Sequence, residues 1–238
     1  SGMFPARKPA TPRRPSQLGR DAPMIDTATP SDARIFAPAA ARNRDAIRDV
    51  VVAEAPVTGR ALEIASGSGE HVVHISRATP ALTWQPTDPD PVRRASVDAW
   101  RLETGADGVA PARALDAARP GWSAEFSGQD LVLLVNLLHL ITEEDARTVL
   151  REIAAALAPG GVALIYGPFL RDGCTTSPGD ARFDAALRTE SPGAGYKDIA
   201  WATRVLTDAG LAAPRTIDMP ANNLMIVARK PQEIPDGP

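Results

Sequence analysis

From residue 59 to residue 229, short apolar runs alternate with longer amphipathic segments, and this alternation constrains the fold more than any other feature of the chain. Residues 61–65 read as a strand and 70–78 as a helix; 82–87 is a second strand, followed by a helix over 92–103. Residues 110–115 and 130–136 are a third and a fourth strand. The fourth is so rich in Val and Leu that both its faces must be buried. A helix over 143–157 is stopped by Pro159-Gly160-Gly161, and 162–166 is a fifth strand. Strands alternating with helices imply right-handed crossovers and a parallel sheet covered on both faces. The C-terminal part breaks the pattern. After a helix over 199–209, the segments 214–219 and 223–229 are joined only by Pro220-Ala221-Asn222, which predicts a hairpin and an antiparallel last strand. The expected fold class is therefore α/β, a seven-stranded, mostly parallel sheet with an antiparallel terminal hairpin and helices on both faces.

Ahead of this region, Pro38 opens a helix in which Ile47, Val50, Val51 and Ala55 recur at helical spacing. Residues 1–30 carry prolines at 5, 9, 12, 15, 23 and 30 and almost no apolar periodicity, so they cannot offset the entropy of ordering and are expected to form a disordered tail. A second reading of this segment is a basic arm that touches a polyanionic partner. Ser1-Gly2 ahead of Met3 reads as a remnant of tag cleavage, and Met24 as an alternative start. The expected domain covers 31–230, with a second disordered tail over 231–238. Of the net charge of −3, residues 1–34 hold +3 and the other 204 residues −6. That balance disfavours a long nucleic-acid track. The longest apolar run, 131–141, is too short to span a membrane and is broken by Asn136 and His139. A single cysteine, Cys174, excludes an internal disulfide framework, and three histidines leave little for a metal site, so none is expected. With no secretory signal in the sequence, a cytoplasmic location is expected.

The first strand runs into Leu62-Glu63-Ile64-Ala65-Ser66-Gly67-Ser68-Gly69-Glu70-His71. Small residues there let the backbone approach a ligand, and the helix that follows presents free N–H groups. Such a loop is shared by dinucleotide and S-adenosylmethionine (SAM) folds, and three features favour SAM. Glu63 places a carboxylate inside the strand, where it can accept from an ammonium group or from loop amides. Val72 occupies the third glycine position of G-x-G-x-x-G. The terminal hairpin also departs from an all-parallel dinucleotide fold. Asp88 ends the second strand 19 residues after Gly69, where an acid can take both ribose hydroxyls; its alternative role, capping the next helix, is assigned to Asp90. Asp116, followed by Ala117, ends the third strand, where a carboxylate can accept the adenine amino group.

Residues 59–167 resemble a class I SAM-dependent methyltransferase, with this acidic loop, two strand-end acids and the LAPGGVALIYG strand. Over most of 31–230 the chain is similar to a small, uncharacterised methyltransferase-like family. The shared marks are FAPAAARNRDAI (36–47), LEIASGSGEH (62–71), WQPTD (84–88), NLLH (136–139), YGPF (166–169), RFDAALR (182–188) and MPANN (219–223). Two positions depart from the pattern: Ala65 stands where the loop's first glycine is usual, and Lys197 where arginine is expected before Asp198. The resemblance implies SAM as cofactor, with S-adenosylhomocysteine (SAH) as product, and leaves the acceptor open. Asn43, Arg44, Glu63, Ala65, Ser66, Gly67, Gly69, His71, Asp88, Asp116, Ala117 and Asn136 are the candidate cofactor residues.

Methyl transfer is an in-line displacement, so the protein must align the nucleophile and exclude water, and a base is needed only if the acceptor has a proton to lose. The acceptor is expected beyond the fourth and fifth strands. Asn136, His139, Tyr166 and Asp184 are the candidate catalytic residues; Phe169, Arg182, Arg188, Asn222 and Asn223 are candidate acceptor contacts. Each has a structural alternative. His139 can simply pack, Tyr166 and Phe169 can lie under the following loop, Asp184 and Arg188 can pair at i,i+4, and Asn222-Asn223 can serve only the turn. The long 170–196 connection reads as a lid. A small-molecule acceptor is expected. The rival functions are a SAM- or nucleoside-binding protein without turnover and a nicotinamide-dependent oxidoreductase.

Overall fold

The computed structural model describes residues 33–233. The expected tail over 1–30, and the one over 231–238 apart from its first three residues, lie outside the described residues. Along the chain run α1 (Pro38–Glu54), β1 (Gly59–Ile64), α2 (Glu70–Ala78), β2 (Leu82–Pro86), α3 (Pro91–Thr104), β3 (Gln129–Val135) and α4 (Glu143–Ala156). They are followed by β4 (Leu157–Gly167), β5 (Phe169–Leu170), α5 (Pro178–Glu190), β6 (Lys197–Asp198), α6 (Ile199–Asp208), β7 (Arg215–Asp218) and β8 (Leu224–Arg229). Polar side chains start several of these helices. The carboxylate of Asp90 accepts from Val92 N at 2.8 Å to cap α3, as its sequence position implies, and Thr142 Oγ1 accepts from Asp145 N at 3.1 Å to cap α4.

The main sheet has the order β2-β1-β3-β4-β8-β7. β1, β2, β3 and β4 are mutually parallel, while β8 is antiparallel to both β4 and β7. Each parallel step needs a crossover, and the helices that supply the crossovers cover the sheet. Side chains alternate between its faces. Ala61, Leu131, Leu133, Val162 and Leu164 pack under α1, α2 and α3. Leu62, Ile64, Val132, Leu134 and Ile165 pack under α4 and α6. The hairpin predicted at the end is present, with Ala221 and Asn222 both at positive φ (58° and 61°), the backbone that a tight two-residue turn demands.

The ladder has six strands rather than the seven expected. Residues 109–113 do lie beside β2, but only through isolated parallel bridges, Trp84 to Val109 and Thr87 to Arg113. Pro111 has no N–H to donate, and neither does Pro86 opposite. Gln85 spans the gap with its side chain, donating from Nε2 to Pro86 O and Pro111 O at 2.9 Å each. A second difference concerns β4. It begins at Leu157, immediately after α4, instead of at residue 162, because Leu157 pairs with Gln129 across an irregularity in the ladder that accommodates Pro159-Gly160. No helix among the described residues is long and apolar enough to cross a membrane.

Leu164 is completely buried in the centre of β4, so Leu164→Ala should cost ~2–5 kcal/mol in urea-induced unfolding. Val57, 88% exposed ahead of β1, serves as the control: Val57→Ala should change stability by less than ~0.5 kcal/mol.

Candidate cofactor and acceptor cleft

Because β1 to β4 are parallel, their C-terminal ends share one edge of the sheet, and the chain leaving each strand contributes to one cleft. The loop 65–69 is held there on several sides. Asp88 Oδ2 accepts from Gly67 N (3.0 Å), Thr87 O accepts from Ser66 N (2.8 Å), and Ser96 Oγ donates to Ser68 O (2.7 Å). Glu70, at the start of α2, accepts from both Ser68 Oγ (2.9 Å) and Ala37 N (2.7 Å), which ties the entry to α1 to the loop. Gly69 is required sterically: its φ is +92°, and a Cβ there would lie 2.7 Å from Val97 Cα in α3. Ala65 also has a left-handed backbone (φ 54°), a conformation that strains an L-residue by ~1–2 kcal/mol.

Glu63 is 2% exposed and projects from β1 toward the helices on the loop side of the sheet. Its Oε2 has no hydrogen-bond partner among the described residues. Burial pushes its carboxyl up to about 8, with the Asp88 charge adding to the effect and a hydrogen bond from Ser66 opposing it. The equally buried Asp88 is differently placed, since Gly67 N and Asp90 N each donate to one of its oxygens. Each oxygen keeps capacity for a further donor.

Three adjoining cavities follow the strand ends. The first, of about 170 Å³, is lined by Asp88, Leu115, Asp116, Ala117 and Leu137, among others. It shares Ala65 and Arg93 with the second, of about 180 Å³, which is bounded by Glu63, Ser66, Gly67, His71 and the first turn of α1. The second shares Ala39 and Asn136 with the third, of about 470 Å³, whose wall also includes Arg42, Asn43, Tyr166 and Asn223. Asn136 sits at the junction with a positive φ of 56°, a backbone that asparagine tolerates better than most residues. The Tyr166 hydroxyl is hydrogen-bonded with the Asn43 and Asn223 side chains, and burial raises its pKa above the ordinary value, so it stays protonated. His71 Nε2 donates to Asn43 Oδ1 at 2.8 Å, which links the loop cavity to the chamber. Burial, with the neighbouring His74 and Arg44 charges, lowers His71 to about 4. Arg44 itself lines none of the three cavities.

The fold therefore gathers the proposed cofactor residues, with Arg44 alongside, and brings Asn136, Tyr166 and Asn223 to one chamber. The other acceptor candidates lie elsewhere. His139 is buried, its ring packed against Phe183 and Tyr196 at centroid distances of 6.0 and 6.1 Å. Burial and the Lys197 charge lower its pKa to about 4. Phe169 belongs to the core on the α4–α6 face. Arg182 is exposed on α5. Asp184 accepts from Arg188 Nε (3.0 Å) and from Tyr196 N (2.6 Å), so this pair braces the 170–196 excursion and lines none of the three cavities. Asn222 donates from Nδ2 to Asp180 Oδ2 (3.1 Å), fastening the hairpin turn to α5. Lys197 is buried and donates from Nζ to Ile141 O and Gly195 O at 2.7 Å each, so in this chain it serves as a backbone clamp. Three contributors were not foreseen from the sequence. Arg42 and Arg93 line cavities, and Asp180 joins Ser177, Tyr196 and Asn222. Asp180 was visible as the last residue of a Ser-x-x-Asp capping pattern; the two arginines carried no local signal.

The strand order, the acidic glycine loop after β1 and the acid after β2 define a Rossmann-like fold of the class I methyltransferase type. Residues 34–230 match the family described as "Protein of unknown function (DUF938)", and the chain belongs to that family. Among solved structures it is similar to an O-methyltransferase family protein from Burkholderia thailandensis, with 22% identity and a TM-score of 0.67, over 82% of this chain and 61% of that one. An O-methyltransferase family 2 protein from Planctomyces limnophilus, in complex with apigenin, has a TM-score of 0.69 at 21% identity, over 81% of this chain and 58% of that one. Human N-acetylserotonin methyltransferase in complex with SAM has a TM-score of 0.64 at 15% identity, over 82% and 53%. The chain thus spans between 53% and 61% of the length of these structures.

Two substitutions probe this geometry. With a carboxyl at about 8 in the folded chain against an ordinary 4.5, the folded state keeps a proton that the unfolded state loses between those values. Glu63 thus lowers stability as pH rises through that window. Urea titrations from pH 5 to 8 should show this loss in the wild type relative to Glu63→Gln, and equal pH dependence in the two would contradict the assignment. Ala65→Gly should raise stability by ~1 kcal/mol, read as an upward shift of the denaturation midpoint, because the strained φ is relieved.

Proposed function

We propose that this chain binds SAM and transfers its methyl group to a small-molecule acceptor. The observation that carries the reading is the buried Glu63 carboxyl, with an unpartnered Oε2, set beside the glycine loop in a cavity that adjoins the space at Asp88 and Asp116 on one side and a larger chamber on the other. A group with a permanent positive charge and an ammonium arm answers that carboxylate. The pyrophosphate of a dinucleotide has no donor for Glu63 Oε2, and the Gly67 N–H that would cradle it already donates to Asp88, which disfavours the nicotinamide alternative.

In this reading Asp88 holds the ribose hydroxyls with its remaining acceptor capacity, Asp116 accepts from the adenine amino group, and Leu115, Ala117 and Leu137 flank the base. Glu63 accepts from the ammonium, losing its proton as it does so, and the loop Ala65–Ser66–Gly67–Gly69 lies along the amino-acid arm. The first turn of α1 has no side-chain cap, and Ala39 and Ala40 in that turn line the cavity, so its positive helix end suits the carboxylate of the same arm. Asn43 and His71 form the wall between arm and acceptor, and Arg44 adds positive charge behind His71. When bound, SAM would supply a methyl carbon activated by its sulfonium, which the acceptor's lone pair would take, with the bonding electron pair left on the sulfur of SAH. The contribution of Asn136 is to orient the acceptor at the junction, and Tyr166 offers a protonated hydroxyl inside the chamber. His139 is neutral and weakly basic at pH 7. A Cβ placed on Gly167 would meet Asn136 Oδ1 at 3.8 Å and His139 Nδ1 at 3.9 Å, so the imidazole packs near Asn136 without lining the chamber, and its assigned role is to position that side chain.

Calorimetric titration tests the reading. SAM and SAH should bind with Kd on the order of tens of micromolar or tighter, while NAD does not. SAM binding at pH 7 should release a proton, seen as a heat that varies with the ionisation enthalpy of the buffer, and Glu63→Gln should abolish that variation. Asp88→Asn should weaken SAH binding by ~10-fold or more. Binding of NAD without SAM or SAH would overturn the proposal. Tight SAM binding with no turnover on any acceptor would point to a sensor.

A further inference from the structure

Every cavity in the cleft has a polar wall, but the chamber beyond Asn136 has a particular one. Its polar side chains are the Arg42 guanidinium, the carboxamides of Asn43, Asn136 and Asn223, and the Tyr166 hydroxyl; its other lining residues are Ala39, Pro220 and Ala221. No carboxylate is among them. The nearby acids are engaged elsewhere: Asp45 with Arg48 and His74, Asp218 with Arg171, and Asp180 with Tyr196 and Asn222. Among the described residues Arg42 makes no hydrogen bond and no ion pair, whereas Arg93, the other guanidinium along the cleft, pairs with Asp90 at 3.9 Å. A chamber of about 470 Å³ is thus rimmed by the exposed Arg42 guanidinium, which has no carboxylate partner among the described residues, and walled by the Asn136 carboxamide and by Asn43 and Asn223, which also bond Tyr166. That volume falls in the usual range for a small-molecule site.

We infer that the acceptor is a small organic acid whose carboxylate is anchored by Arg42. The inference rests on the methyl-transfer reading for the identity of the reacting end, but the anchoring itself does not. A single guanidinium with carboxamide donors matches a planar monoanion, which a forked donor can grip through two parallel hydrogen bonds. Position decides which end of the acceptor the anchor holds. Ala39, Arg42 and Asn43 stand at i, i+3 and i+4 on one face of α1. Ala39 belongs to the junction with the loop cavity, and Arg42 lies one helical turn beyond it. The carboxylate therefore sits at the far end of the chamber, and a different atom of the acceptor faces Asn136. Arg42 is accordingly a specificity residue, since it distinguishes the acid from its neutral relatives and leaves the cofactor side untouched.

The test uses the full chain with SAH present and follows binding of benzoate and 3-phenylpropionate, each against its primary amide, with inorganic phosphate as a further probe. The acids should bind at least ~10-fold more tightly than the amides and more tightly than phosphate. Arg42→Ala should reduce acid affinity by ~10–100-fold, toward the level of the amides, and Arg42→Lys should recover part of it. SAH affinity should stay within about two-fold of wild type in both variants. Acid binding should be level from about pH 6 to 9, since the guanidinium keeps its charge throughout. Amides binding as well as acids, phosphate binding best, an Arg42→Ala chain with unchanged acid affinity, or no acid bound at about 10 mM would each overturn the inference. Failure of the cofactor reading would appear separately, as loss of SAH binding to the wild-type chain, and the acid–amide comparison would then be run without SAH.

Discussion

The structure depends first on a parallel sheet that must be buried on both faces. Neighbouring parallel strands cannot be joined by tight turns, so the chain has to travel back across a face after each strand. That requirement produces the helices, covers the sheet and, as a geometric by-product, brings the C-terminal ends of β1, β2, β3 and β4 to one edge. Most residues of the cleft lie within a few positions of one of those ends or on α1, which closes over them, while Leu115, Asp116 and Ala117 enter from the stretch bridged to β2 and Arg93 from α3. The antiparallel hairpin β7–β8 contributes Asn223 from the same side because its turn falls at that edge.

Within this frame, electrostatics divide the cleft. Around the loop are two buried carboxylates, Glu63 and Asp88, of which only Asp88 is bonded to loop amides. Beyond Asn136 the charge reverses: Arg42 stands among carboxamides. A cationic ligand at the first position and an anionic one at the second would each be drawn to its own end, and the two reactants would be ordered head to tail across Asn136. His71, neutral and bonded to Asn43, separates the halves without adding charge to either.

Much of this was legible in the linear chain because it is local. The alternation of apolar and amphipathic segments, the loop 65–69, Asp88, the cap at Asp90 and the turn at Ala221-Asn222 depend on spacing or on one backbone conformation, and both can be read along the sequence. The strand expected over 110–115 was misjudged because those residues have strand-like composition, while the loss of donors at Pro111 and Pro86 matters only once the two are set side by side. His139 and Phe169 were drawn toward the acceptor by proximity in sequence to the strand ends, and Asp184 by its place in the RFDAALR stretch of the expected lid. Side-chain direction sends Phe169 to the opposite face, and contacts with Phe183, Tyr196 and Arg188 occupy the other two.

Sequence alone determined the α/β class, the position of the glycine loop and the chemical character of the strand-end acids, since periodicity and residue type express those directly. Tertiary structure decided which side chains share a cavity. It left Glu63 buried with an unpartnered oxygen, turned Lys197 into a backbone clamp, and placed Arg42 rather than Arg182 or Arg188 in the chamber. Those outcomes depend on the packing of α1 and the 170–196 excursion against strand ends that are distant in the chain, and no local pattern carries that information.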